Sequence, residues 1–203
     1  MDKTNQIRKI SIWIFILPLI TLNFCLFISI NHHFFENTIF VVDQIGRSTF
    51  TIPYIDGGLS ISRTARTYPA YLIFKPGMII TAVLLVKYWI ANNAIAQTIN
   101  NENEKNYRFL LFGVGSAIFL IAHSIFLGIK FDYDLYKFFR RFVLVAFIIF
   151  EIIAQALLVI TLYKMKEKIA EIINKKILIL KIILVSLLSV TALASLPILT
   201  SSG

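Results

Sequence analysis

Five long apolar runs separated by polar joints constrain this chain more than any other feature. They occupy about residues 10–30, 71–91, 109–129, 142–163 and 177–196. Each is close to twenty residues, and at 1.5 Å per residue such a helix crosses roughly 30 Å, the thickness of a bilayer's hydrocarbon core. Hydrophobic residues make up 58% of the 203, and the mean hydropathy is +0.78. A water-soluble domain of this length has no interior large enough for so much apolar side chain, so lipid has to be the solvent. In lipid each N–H and C=O must find a partner within its own segment, which selects helices. The expected fold is therefore all-α: one integral membrane domain over residues 1–203, built as a five-span transmembrane helix bundle. A structured outer loop, residues 31–70, joins the first two spans.

Residues 1–9 are polar and basic, which gives the first run the layout of a signal peptide. The run is too long for one, and no small-residue cleavage site follows, so it is read as the first span with a bend near Pro18. Net charge is +9, from 20 Lys and Arg against 11 Asp and Glu. The basic residues are dispersed and little surface faces water, which argues against nucleic acid as a partner. With the N-terminus cytoplasmic, twelve of the 20 basic residues fall on the inner side and eight on the outer. The positive-inside rule therefore favours that orientation, with the C-terminus and the long loop outside or lumenal. The single cysteine, Cys25, lies within an apolar run and reads as packed rather than reactive.

The connections carry most of the polar residues. Thr38–Val42 and Ser48–Ile52 are rich in β-branched and aromatic residues, which predicts a small β-hairpin with Gln44 to Arg47 as its turn. Asp56-Gly57-Gly58 marks a further turn, and Ser60 is placed to cap a short helix carrying Arg63 and Arg66 on one face. Lys75 and Lys87 lie near opposite ends of the second span, where their stems reach the headgroups, and Pro76 falls near its first turn. Residues 92–107 read as a loop or surface helix, 130–141 as a compact charged turn, and 164–176 as a basic anchor with Ile169, Ile172 and Ile173 on one face. Pro197 is expected to end the last span.

Ionisable groups inside a span cost about 2.5–3.5 kcal/mol each on insertion scales, so they are the first places to look for function. His123 and Glu151 are the two best, in the third and fourth spans. A hairpin turning near residue 135 would set Glu151 about one turn deeper than His123, with Gln155 on the same face. The functional reading is a polar pocket lined by His123, Glu151 and Gln155 and roofed by Asp56, Arg63 and Arg66. Guanidinium forks match phosphate geometry, so a lipid headgroup would suit it. The plainer readings are that His123 and Glu151 join two helices, and that the arginines bond loop carbonyls or Asp56. Adjacent His32 and His33 in an extended segment would point apart, so no metal is expected. No nucleophile–base spacing, no phosphate-cradling glycine loop and no paired-carboxylate motif is present, so the sequence names no catalytic residue and leaves open whether there is a reaction; no cofactor is expected.

Several short motifs occur in an order seen elsewhere. Leu17-Pro18-Leu19 and Phe24-Cys25 are followed by His33-Phe34-Phe35-Glu36. A long loop then carries Pro53-Tyr54-Ile55-Asp56 and Ser60-Ile61-Ser62, and Pro69 to Lys75 leads into the second span. This order resembles the Frag/DRAM/Sfk family of polytopic membrane proteins, which includes a GPI-anchor lipid-remodelling protein. Glu151 is similar in placement to an acidic residue in that family's late spans. The resemblance covers about half the chain and implies a role in lipid handling, and the family has six spans where five are counted here. Three functions follow as expectations: binding, sensing or remodelling a membrane lipid; a non-catalytic assembly or regulatory subunit with a membrane protein partner or as a homo-oligomer; and a proton-coupled transporter. Gly113, Gly115 and Ser116 on one face would suit helix–helix assembly.

Overall fold

The computed structural model describes residues 3–48, 61–100, 107–129, 133–169 and 175–201. Over these residues the chain is helical and contains no strand. Helix α1 spans Lys3–Ile30, the short α2 Ile61–Ala65, α3 Tyr71–Asn100, α4 Arg108–Phe126, α5 Asp134–Lys164 and α6 Lys175–Ser201. Five of them, all but α2, are long and apolar enough to cross a membrane. The chain is thus a multi-pass membrane protein by the length and composition of its helices.

Helix extents exceed the apolar runs. The helix of the second span continues to Asn100, through residues read as a loop or surface helix, and α5 begins at Asp134, inside the expected charged turn. The α6 helix runs on to Ser201, so Pro197 does not end it. Hydropathy marks the part of a helix that suits hydrocarbon. The helix itself continues into the headgroup zone, where long charged stems are at home. Polar side chains within the spans satisfy themselves locally: Ser11, Thr81, Ser124, Thr161 and Ser189 each donate to the carbonyl four residues back.

The long helices pack in series, α1 on α3, α3 on α4, α4 on α5 and α5 on α6. Small residues set the close approaches. A side chain at Gly77 would collide with Thr21, and one at Gly113 would enter the Trp89 ring. The main core lies between α3, α4 and α5, around fully buried Trp89, Phe109, Ala117, Ala154 and Leu158. The most apolar stretch of α3 is 44% buried, whereas that of α6 is only 11% buried, so α6 sits at the margin with most of its surface facing outward.

The loop after α1 is folded, but without the expected hairpin. Thr38–Val42 forms turn and irregular backbone, and Gln44–Gly46 is a 3₁₀ turn. The β-branched residues give way because side-chain and tertiary bonds hold this backbone instead. The Ser29 hydroxyl donates to the Gly46 carbonyl, and the Ser48 N–H to the Ser29 carbonyl (3.2 Å). The Tyr68 hydroxyl donates to the Ile39 carbonyl (2.7 Å), and the Tyr68 N–H to the Asp43 carboxylate (3.2 Å). His32–Phe35 is likewise a 3₁₀ turn rather than an extended segment. The other half of the expected hairpin, with Asp56 and Ser60, lies outside the described residues.

Candidate functional site

Two polar clusters emerge where the sequence reading expected one. The first is at the end of the bundle that carries the long loop. Arg63 sits on α2, Arg66 one residue beyond it, and Arg140 in the second turn of α5. Gly128 has φ +87° and approaches the Arg66 carbonyl so closely that a side chain there would begin 3.0 Å from it. Burial first, then the guanidiniums of Arg140 and Arg63, hold Arg66 below the usual arginine range. The field of Arg140 also reaches His123, in the last turn of α4, whose Nδ1 is buried with no hydrogen-bond partner among the described residues.

Nearby carboxylates at this end are otherwise engaged. Glu36 pairs with Arg47 at 3.6 Å, and Asp43 accepts the Tyr68 N–H. The Glu36–Arg47 pair involves none of Arg63, Arg66 and Arg140. Arg63 spends its Nε–H on the Ile45 carbonyl at 2.8 Å, as the plainer reading of that arginine anticipated. Its remaining guanidinium N–H groups are distinct donors. Cys25, fully buried near the same end, directs its thiol at the Ala70 carbonyl, 3.5 Å away.

The second cluster is deeper and centres on Glu151. One carboxylate oxygen accepts from the Ser116 hydroxyl at 2.7 Å and the other from the Gln155 amide at 2.9 Å. The Trp89 indole and the Lys181 ammonium lie within electrostatic reach of the same carboxylate. Trp89 Nε1 is buried and has no hydrogen-bond partner among the described residues. Lys181 donates to the Tyr88 hydroxyl at 3.2 Å and reaches from α6 to α3 in doing so. Gly113 makes this arrangement possible, because its missing side chain leaves the place where the Trp89 ring lies.

His123 and Glu151 therefore do not share a pocket. The partner of Glu151 on α4 is Ser116, seven residues from His123, or about 10 Å along the axis at 1.5 Å per residue. The offset arises because α5 starts at Asp134, which moves the turn of the hairpin towards the N-terminus. Phe126 then packs on Phe139 and Phe119 on Phe150. Glu151 and Gln155 do come together, as do Arg63 and Arg66, and Arg66 stands at the same end as His123. Asp56 lies outside the described residues.

Sequence reasoning does not single out Arg140, Trp89 or Lys181 as site residues, and it reads Ser116 only as a small residue on a packing face. Lys181, a lysine inside an apolar run, carried a usable signal and was read only as an anchor. Arg140 looked like one of several charges in a turn. Trp89 has no signal beyond its type, and the small-residue face that includes Ser116 does not point to Glu151. Among the described residues no three His, Cys, Asp or Glu side chains come together as metal ligands.

No family model matches the chain, and neither the curated proteins nor the solved structures compared with it give a match.

Proposed function

We propose that this multi-pass membrane protein binds the headgroup of an anionic lipid at the loop-bearing end of the bundle, on the outer or lumenal side. The observation that carries the reading is the gathering of Arg63, Arg66 and Arg140. Arg66 is partly buried and is repelled by the guanidiniums of Arg140 and Arg63, which costs stability unless an anion joins them. Arg presents planar N–H forks that suit phosphate oxygens. His123, with a buried Nδ1 that lacks a partner, supplies one further polar contact beneath the cluster. The resemblance to Frag/DRAM/Sfk proteins points the same way, but the reading does not depend on it.

The test is lipid retention. The protein, purified in detergent with an equal mixture of phosphatidylglycerol and phosphatidylcholine, is examined by native mass spectrometry. Wild type should retain phosphatidylglycerol preferentially. The double substitution Arg66→Gln and Arg140→Gln should reduce that preference about tenfold or more, the equivalent of losing a charge-assisted hydrogen bond. Equal retention of both lipids by wild type, or an unchanged preference in the double variant, refutes the reading.

A second reading has one observation in its favour. Helix α6 packs only on α5 apart from scattered contacts, and Ile179, Ile183, Leu187 and Val190 remain exposed. Such a face suits a helix of a partner subunit, and a stoichiometric protein partner in gently solubilised membranes would support it.

A further inference from the structure

A polar cavity of about 320 Å³ opens at the other end of the bundle, lined by Tyr107, Thr161, Lys164, Met165 and Lys168. Helix register brings these residues together. Ser116 bonds Glu151 across the antiparallel α4–α5 pair. Tyr107 lies nine residues before Ser116 and Thr161 ten residues after Glu151, so both stand level, about 14–15 Å from that bond and on the side away from Arg140. Arg140 and Lys164 are 24 residues apart on α5, about 36 Å, which is one hydrocarbon core and a little more. The cavity therefore sits at headgroup depth on the face opposite the long loop.

Its walls are held by the bundle. Met165 and Ile169 are buried in the main core, and the Ile169 N–H donates to the Met165 carbonyl at 3.1 Å. That bond carries helical spacing past the end of α5, so Lys164 and Lys168, four residues apart, share one side. Lys166 lies over the Tyr163 ring at 5.0 Å and is not part of the lining. Tyr107 is fixed by its N–H, which donates to the Asn93 side-chain oxygen at 3.0 Å, and by its ring, stacked on Phe109 at 5.5 Å. Its hydroxyl is 3.5 Å from the Ala96 carbonyl, the outer limit of a hydrogen bond, so its proton is available to a stronger acceptor.

We propose that this cavity binds a phosphate group, carried by a lipid headgroup of that leaflet or by a soluble phosphate. Two ammonium groups, each with three donors, flank one small space, and no carboxylate is among its lining residues. Lysine is a common phosphate ligand, acting as a point charge. The volume lies at the low end of the roughly 300–1,000 Å³ typical of small-molecule pockets, so of a lipid only the headgroup would enter. A basic anchor at the membrane surface needs no cavity and makes no distinction between Lys164, Lys166 and Lys168. The inference does not use the arginine cluster, so either site can fail without the other.

The experiment uses the full-length protein in detergent with two probes, dihexanoyl phosphatidic acid and inorganic phosphate. An Arg66→Gln, Arg140→Gln background removes the loop-end cluster from the readout, which is affinity by native mass spectrometry and by the shift in thermal midpoint. This parent should bind phosphatidic acid saturably. Adding Lys164→Gln and Lys168→Gln should weaken binding about tenfold or more, the equivalent of a lost charge-assisted hydrogen bond. Lys166→Gln removes the same charge from outside the cavity and should leave affinity within about twofold. Thr161→Leu keeps every charge and puts apolar bulk into the cavity, and should weaken binding about fivefold. Its hydroxyl donates only to the Leu157 carbonyl of its own helix, so folding should survive, as circular dichroism would verify. Equal losses from all three lysines would reduce the site to a basic anchor and overturn the inference. So would a Thr161→Leu variant that binds as the parent does, or a parent that binds neither probe. Displacement of phosphatidic acid by a similar concentration of inorganic phosphate assigns the site to soluble phosphate, and resistance to it assigns the site to a lipid headgroup.

Discussion

Gly113→Ala tests the tightest contact in the core. A methyl at Gly113 would overlap Trp89 Cδ2 and Cγ and lie 2.5 Å from Cδ1. Carbon atoms pack at about 3.5–4.0 Å, so the indole would have to retreat by more than 1 Å. It has nowhere free to go: Trp89 is 0% exposed, with Tyr88 edge-on at 5.2 Å and Phe109 at 6.0 Å. Overpacking of this kind costs about 1–3 kcal/mol. Replacing glycine by alanine in a helix returns about 1 kcal/mol of propensity, so the net loss should be up to about 2 kcal/mol. The chain has two tryptophans, and Trp13 on α1 is 55% exposed. A Trp13→Phe background therefore leaves Trp89 as the sole reporter. Unfolding in mixed micelles, followed by Trp89 emission, gives both the stability and the environment of the ring. Pairing Gly113→Ala with Trp89→Leu, followed by circular dichroism because no tryptophan then remains, should recover part of the loss. If Gly113→Ala is as stable as its parent and Trp89 emission is unchanged, the close approach of α3 and α4 described above is wrong.

Four further outcomes are expected. Ser116→Ala and Glu151→Gln should be coupled by about 0.5–1.5 kcal/mol in a double-mutant cycle, as hydrogen bonds between membrane helices usually are; strictly additive losses would remove the bond from the account. Gly128→Ala should cost about 1–2 kcal/mol, because φ +87° disfavours any β-carbon and the Arg66 carbonyl crowds it; a thermal midpoint equal to wild type would contradict this. Arg140→Gln should stabilise the lipid-free protein by about 0.2–1 kcal/mol through relief of like-charge repulsion, even as it weakens anionic lipid retention, and a loss of stability in the lipid-free form would count against the cluster. Arg66 is held below its ordinary range when folded, so the unfolded chain binds its proton more tightly. Its penalty is present at every pH below the folded value and fades only as pH rises between the folded and unfolded values, far into alkali. Substituting Arg66 by Gln should therefore change stability by the same amount at pH 5 and pH 8, measured by chemical unfolding.

Much of the candidate site was visible as residue types and little of it as geometry. Arg63, Arg66, His123, Glu151 and Gln155 could be picked out because charged or amide groups are costly in or beside hydrocarbon. The grouping was not visible. It depends on where α5 begins, and hydropathy does not locate that: Asp134 to Arg141 is charged enough to read as a turn, yet its long side chains are compatible with a helix at headgroup depth. Starting α5 there shifts the hairpin register and parts His123 from Glu151. It also brings Arg140, one of several similar charges in the sequence, to Arg66.

The sequence by itself determined that this is an α-helical membrane protein with five spans. Twenty apolar residues in a row leave the backbone no other means of satisfying its hydrogen bonds in lipid. Tertiary structure alone decided which polar groups meet. Gly113 admits the Trp89 ring, Gly128 admits the Arg66 carbonyl, and each contact fixes a register that the length of an apolar run leaves free. The solvent dictates the helices, whereas a few close approaches between them dictate the site.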